Sequence, residues 1–289
     1  MSYRIEKGET LAVAFARISS EELEAAQAEL QRGGGQAVHN VRKALKRLRA
    51  LLRSLRLALP KRFYREENQR LGDAGRKMSP LRDVHVQLRT IEKLDGASAQ
   101  ARRDLRAHLQ QQQKRIQRDI PRLRQVLRGA LRRSQEHISA MPLRRATPEN
   151  VAAGLKKLYK QGRDRFANAR RRPTPENLHQ WRKRVKALGY GSELMQELAG
   201  RKIAKIGKQC DTLGELLGDD HDLFMALEAL RQEHAANPAA DYAPLADRIE
   251  RKRSNLRRAA LKLGARVYAD KPRVFEKRVD KLLAKRPHL

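Results

Sequence analysis

Residues 36–59 read QAVHNVRKALKRLRALLRSLRLAL. Set on a helix at ~100° per residue, this stretch divides into two faces. Val41, Leu45, Leu48, Leu52, Leu55 and Leu59 recur at three- and four-residue steps and make one apolar stripe. His39, Arg42, Lys46, Arg49 and Arg53 recur on the adjoining face, with Lys43 at its edge. A solvated helix face usually mixes its charges, with acids one turn ahead of bases. Here no Asp or Glu lies between Glu29 and Glu66. Like charges in a row repel one another, so the row needs a good core beneath it or a polyanion above it. We read it as a polyanion-binding face.

The device occurs twice. In LHQWRKRVKALGY, residues 178–190, His179, Arg182, Lys183 and Lys186 repeat the spacing of His39, Arg42, Lys43 and Lys46, 140 positions further on. An acidic segment follows each copy, LRDVHVQLRTIEKL at 81–94 and GDDHDLFMALEAL at 218–230, with Asp222 placed 139 positions after Asp83. Two motifs in one order at one spacing indicate an internal duplication, with halves at roughly 1–140 and 141–289.

H-x-x-R-K-x-x-K occurring twice, each time followed by L-R-D or H-D, resembles the CHAD domain, the "conserved histidine α-helical domain". The resemblance covers nearly the whole chain, including ETLAVAFARISSEELEAA near the start and TPENLHQWRKRVKAL. It implies an all-α protein of two pseudo-symmetric helical halves that binds inorganic polyphosphate and associates with polyphosphate granules. The positions it carries over are His39, Arg42, Lys46 and Arg49, then His179, Arg182 and Lys186. One departure stands out: where the family continues K-x-L-R-Y, this chain has Gly189 before Tyr190. The counterpart of Arg49 is missing, which predicts a weaker second surface or a cation drawn from elsewhere.

Composition supports a binding role. Lys and Arg number 65 against 33 Asp and Glu, a net charge of +32, with pI about 11.1. Such an excess speaks of partners rather than fold. The leucines are too regularly spaced for a disordered chain. The single Cys210 excludes an internal disulfide, in keeping with a reducing compartment. Neither a secretory leader nor an apolar run of membrane-spanning length is visible, so a cytoplasmic protein without membrane contact is expected.

Helices are expected at 9–31, 36–59 (stopped by Pro60), 61–77 and 80–94, with Ser79 as N-cap. A long one follows over 98–135, interrupted by Pro121, whose Arg115, Arg118 and Arg122, and beyond them Arg128, extend the basic surface. Residues 136–147 are read as the irregular junction. Thr147-Pro148-Glu149 and Thr174-Pro175-Glu176 each open a helix with cap, proline and acid. Further helices are expected at 201–216, 219–235 and 244–268, the last carrying Arg251, Arg258, Lys262 and Arg266, with a loop at 236–244 and a short helix from 272. No stretch reads as a strand. Gly33-Gly34-Gly35 is read as a helix connection, because no strand precedes it and no G-K-[ST] follows.

The two basic-helix histidines are read as phosphate donors in line with the cations one and two turns on. Their blander reading is as helix-start residues bonded to backbone. Asp219-Asp220-His221-Asp222 is read as helix capping rather than a metal cluster, since consecutive helical residues point apart, with Asp83 or Asp222 as a candidate to reach across and orient an arginine. His108, His137, His234 and His288 have no evident partner. No nucleophile, zinc or P-loop pattern occurs, so neither an enzyme nor a cofactor is expected, and polyphosphate processing is the least favoured reading. Non-specific nucleic-acid binding is the runner-up. Aromatic content of 4% leaves little to stack on bases. The expected architecture is two bundles with the basic helices lining a shared groove or central opening.

Overall fold

Thr10 starts the first helix: its hydroxyl accepts from the Val13 N–H at 3.3 Å, a side-chain cap for an otherwise orphaned donor. The structure, a computed structural model, describes residues 3–92, 99–141, 143, 146–236 and 242–283. Helix α1 (Leu11–Arg32) hands over to α2 (Gly34–Ser54) through Gly33 and Gly34, whose φ values of 74° and 86° lie where glycine is tolerated and other residues are strained. Then follow α3 (Lys61–Lys77), α4 (Ser79–Glu92), α5 (Ala99–Arg118) and α6 (Ile120–Ser139). The long helix expected over 98–135 is thus two, parted at Asp119 with Pro121 in the first turn of α6. Helices α7 (Pro148–Arg171) and α8 (Pro175–Leu194) open as their Thr-Pro-Glu signals require. The Thr147 hydroxyl accepts from the Asn150 N–H at 3.4 Å, and the Asn150 side chain accepts from the Thr147 N–H at 3.2 Å, a reciprocal capping box. Helices α9 (Gln196–Ala236), α10 (Ala243–Val267) and α11 (Pro272–Leu283) complete the chain. The fold is all-α, with no strand among the described residues.

All six residues of the apolar stripe, four on α2 and Leu55 and Leu59 just beyond it, are at most 5% exposed. Burying one aliphatic side chain contributes about 1.5–3 kcal/mol, whereas a pair of like charges near water costs about 1 kcal/mol, so the stripe holds the repelling face in place. One apolar cluster runs from Tyr3 to Leu283 through both halves. α2 packs on α1 and α3, and also on α7 and α8. Trp181 of α8 is fully buried and lies so near α10 that a Cβ on Gly264 would stand 2.5 Å from its ring. A smaller cluster, with Ile91, Leu105, Leu223 and Ile249 among its members, joins α4, α5, α9 and α10.

Four boundaries differ from expectation. α2 ends at Ser54, not near Pro60. There α7 crosses so closely that a Cβ on Gly154 would fall 2.1 Å from the Ser54 carbonyl oxygen. Leu55 and Leu59 remain buried in the turn that follows. Ser79 is no cap: it is helical, and its hydroxyl accepts from Arg42. α6 continues through Ser139 into the expected junction, of which residues 142, 144 and 145 lie outside the described set. The pair expected at 201–216 and 219–235 is one helix across Gly218, and the break in α9 falls at Gly200, φ 69°. The expected helix end at 93–94 and most of the loop at 236–244 lie outside the described residues.

Candidate functional site

Packing α8 against α2 brings together cations that are 140 positions apart in the chain. Arg42 donates from Nη1 to the Gly75 carbonyl at 2.6 Å and the Ser79 hydroxyl at 3.0 Å. Arg182 donates from Nε to the Gly214 carbonyl at 3.3 Å, and its Nη2 lies 2.9 Å from where a Cβ on Gly218 would be. Gly75 and Gly214 are 139 positions apart, so matching carbonyls accept from the two guanidiniums, while Gly218, at the position matching Ser79, leaves room beside Arg182 without bonding to it. Those partners are neutral carbonyl and hydroxyl groups. Each arginine is therefore oriented without losing its charge, and Arg42 Nε is buried with no hydrogen-bond partner.

Arg82 of α4 is the third cation of this cluster. Its Nη1 lies 3.6 Å from Asp83 Oδ1 and 3.8 Å from Asp222 Oδ1. The latter contact joins α4 to α9, so Asp222 does reach across, to an arginine of α4 rather than of a basic helix. Asp222 also acts on Arg182. Burial pushes the carboxyl of Asp222 upward, against the pull of Arg82 and Arg182.

The electrostatics follow from this crowding. Lys46 keeps a path to solvent at the mouth of a dense surround. Desolvation first, and then Arg182, Arg42, Arg82 and Lys186, draw its ammonium down to about 7. Desolvation and the cations Lys46, Arg82, Lys43 and Arg42 lower His39. His179 falls to about 4 through desolvation, Lys183 and Arg182. His221 falls to about 3 through desolvation, His179 and Arg182. The rings of His179 and His221 lie 4.5 Å apart, tilted by 34°. His179 Nδ1 is buried with no hydrogen-bond partner. Helix-start bonding to backbone does not describe that nitrogen.

The remaining basic-row residues divide. Lys43 and Lys183 are exposed at the rim. Lys186 lies 3.7 Å from Asp211 Oδ1. Arg49 and Arg53 stand apart from the cluster. Arg49 donates to Asn68 at 3.2 Å and is lowered to about 10 by desolvation, Arg53 and Arg76. Arg53 is lowered by desolvation first and then, against the opposing pull of Tyr64, by Arg184. Gly189 is explained by an exchange. In the first half the Arg49 guanidinium fills the space beside Gly72, 3.2 Å from where a Cβ would be; in the second, a Cβ on Gly189 would meet Cys210 at 3.2 Å and Asp211 Oδ1 at 3.6 Å. The side chain has moved from the basic helix to its neighbour, and it carries the opposite sign.

Several expectations are corrected. Arg115, Arg118, Arg122 and Arg128 are exposed on α5 and α6, and α6 packs on α1 and α3, away from α8. None of them acts on the cluster's titrating groups. Asp219 to Asp222 lie inside α9 and cap nothing. Asp220 is buried and accepts from Arg257 at 2.9 Å and Arg253 at 3.2 Å. His137 Nδ1 lies 2.7 Å from the fully buried Glu67, His108 lies 3.3 Å from Glu233, and His234 meets the edge of Tyr242; His288 lies outside the described residues. Sequence reasoning missed Arg82 and His221, which are themselves 139 positions apart.

Among the described residues no three His, Cys, Asp or Glu side chains are grouped to hold a metal ion. No helix there is long and apolar enough to cross a membrane. The cluster offers guanidinium and ammonium donors from α2, α4 and α8 to one multivalent anion, with neutral imidazoles beside them. No curated protein matches the chain. The crystal structure of the CHAD domain from the plant Ricinus communis shares the fold, at a TM-score of 0.60, covering 97% of this chain and 94% of that one with 18% identity. The model of the CHAD domain family matches residues 17–231, and the chain belongs to that family.

Proposed function

We propose that this protein binds inorganic polyphosphate, without chemistry, in the cluster formed by Arg42, Lys46, Arg82, Arg182, Lys183 and Lys186 with His39, His179 and His221. One observation carries the reading: cations repeated on α2 and α8 converge, and two of them are held by neutral partners, so their charge is kept for a ligand. A chain of phosphates meets such a cluster with many charge-assisted hydrogen bonds and releases its counterions. Because the ligand repeats, register along the helices replaces a specificity pocket. Arg49, Arg53 and Arg184 extend the track at the far end of α2. A protein of this kind would act in the cytoplasm on polyphosphate granules. The test is competition of labelled polyphosphate against duplex DNA and RNA at matched phosphate and salt. Preference for polyphosphate is expected, and equal displacement by either nucleic acid would replace this reading with general polyanion binding.

A further inference from the structure

Beside the cationic cluster lies a cavity of about 410 Å³, within the size range of small-molecule sites. Its floor is apolar: Leu30, Val38, Leu81, Val86, Ile120 and Leu123, contributed by α1, α2, α4 and α6. Several of these are only partly buried, which for aliphatic groups is unfavourable surface. One side of the wall is cationic. His85, Arg89 and Arg124 line it, and His39 and Arg82 join it to the polyanion cluster. The one carboxylate in the lining, Glu29, accepts from Arg32 at 2.6 Å.

The three glycines between α1 and α2 shape this wall. Arg124 Nη2 lies 2.1 Å from where a Cβ on Gly33 would be, and the His85 ring lies 2.9 Å from a Cβ on Gly35. Any larger residue would push the Arg124 guanidinium and the His85 ring aside. The first turn of α2 also borders it and has neither a capping side chain nor an acidic residue, so its positive end is uncompensated. An apolar floor beneath a basic wall suits a body of hydrocarbon carrying an anionic head.

We infer that this cavity binds a single-chain amphipathic anion, an alkyl or acyl chain ending in phosphate or carboxylate, with the chain on Val38, Val86 and Leu123 and the head at His85, Arg89 and Arg124. The site does not depend on the polyphosphate reading. Calorimetric titration of the full chain with octyl phosphate, octanoate, octanol and inorganic phosphate tests it. At least one octyl anion should bind saturably at one site, and the stronger of the two identifies the head group. Octanol and inorganic phosphate should each bind at least about tenfold more weakly, having lost the charged hydrogen bonds or the apolar contact. Val86→Trp fills the cavity and should abolish binding without changing polyphosphate affinity. Should that variant fail to fold, the double variant Arg89→Ala with Arg124→Ala, both at the cavity rim, decides alone: about tenfold weaker binding of the octyl anion is expected. The inference is overturned if neither octyl anion binds, or if octanol binds as tightly as they do. It is equally overturned if the rim variant binds the octyl anion as tightly as the wild type, since the head would then sit elsewhere, and displacement by polyphosphate would place it in the basic cluster.

Discussion

Lys46 makes the coupling between protons and anion binding measurable. In the free protein its ammonium is drawn from 10.5 to about 7 by desolvation and by Arg182, Arg42, Arg82 and Lys186. A polyanion laid over these groups reverses the balance, because nearby opposite charge favours the charged form. Between pH 7 and 10.5 binding therefore takes up a proton, and affinity must fall as pH rises. A fully coupled proton would change affinity about tenfold per pH unit. Lys46 is open to solvent, which screens its neighbours, so a loss of about tenfold in total between pH 7.5 and 9.5 is expected. Folding stability of the free protein should move the other way. The unfolded chain binds the extra proton in that window, so stability rises with pH. The assay is polyphosphate affinity against pH at fixed ionic strength, using long chains whose internal phosphates stay ionised, with calorimetry in buffers of different ionisation enthalpy to count protons. Lys46→Arg, which stays charged throughout, should bind with a much flatter profile. A flat wild-type profile, or an unchanged slope in Lys46→Arg, would refute the argument.

Polyphosphate affinity should fall linearly in log–log form with salt, and the six cations of the cluster set a slope of about −4; calorimetry between about 50 and 200 mM salt checks it. His179 and His221, at about 4 and 3 in the free protein, should add a second rise in affinity as pH falls from about 6.5, and His179→Gln with His221→Gln should remove it in the same titration. Gly154→Ala should destabilise the fold by about 1–3 kcal/mol or more, because its Cβ would meet the Ser54 carbonyl oxygen, a backbone atom, at 2.1 Å; chemical denaturation measures the loss, and a neutral result would mean that α7 and α2 separate freely.

What the sequence made legible is what periodicity encodes. The apolar stripe and the Thr-Pro starts of α7 and α8 are local patterns; the stripe is buried as expected, though its last two leucines lie past the end of α2, and both helices start where expected. The convergence of the two basic rows is a long-range packing event that no local pattern carries. Arg82 and His221 were nonetheless within reach: the offset that aligns Asp83 with Asp222 also aligns the residues just before them. Gly218-Asp219 misled because glycine followed by aspartate imitates the end of one helix and the cap of the next. In the fold Gly218 is helical, and its bare Cα lets the Arg182 guanidinium lie against α9. Asp220 imitates a cap because its partners, Arg253 and Arg257, lie on α10, more than thirty residues away.

The close meeting of α2 with α7 and α8 has an ancestral implication. If the offset of 139–140 positions records a duplication, the unit that was duplicated carried one α2-like helix with an apolar stripe and nothing in its own chain to bury the side now covered by the other half. Such a unit would be stable as a twofold homodimer, with an isologous interface through that helix. Arg42 and Arg182 would then have been one residue seen twice across the axis, and the anion would have bound on the axis itself, held equally by both subunits. Fusion into one chain would have freed the copies to differ. The exchange of Arg49 and Gly72 for Gly189 and Asp211 is a change that a strict twofold would have forbidden, because a homodimer cannot place arginine on one side of its axis and glycine on the other.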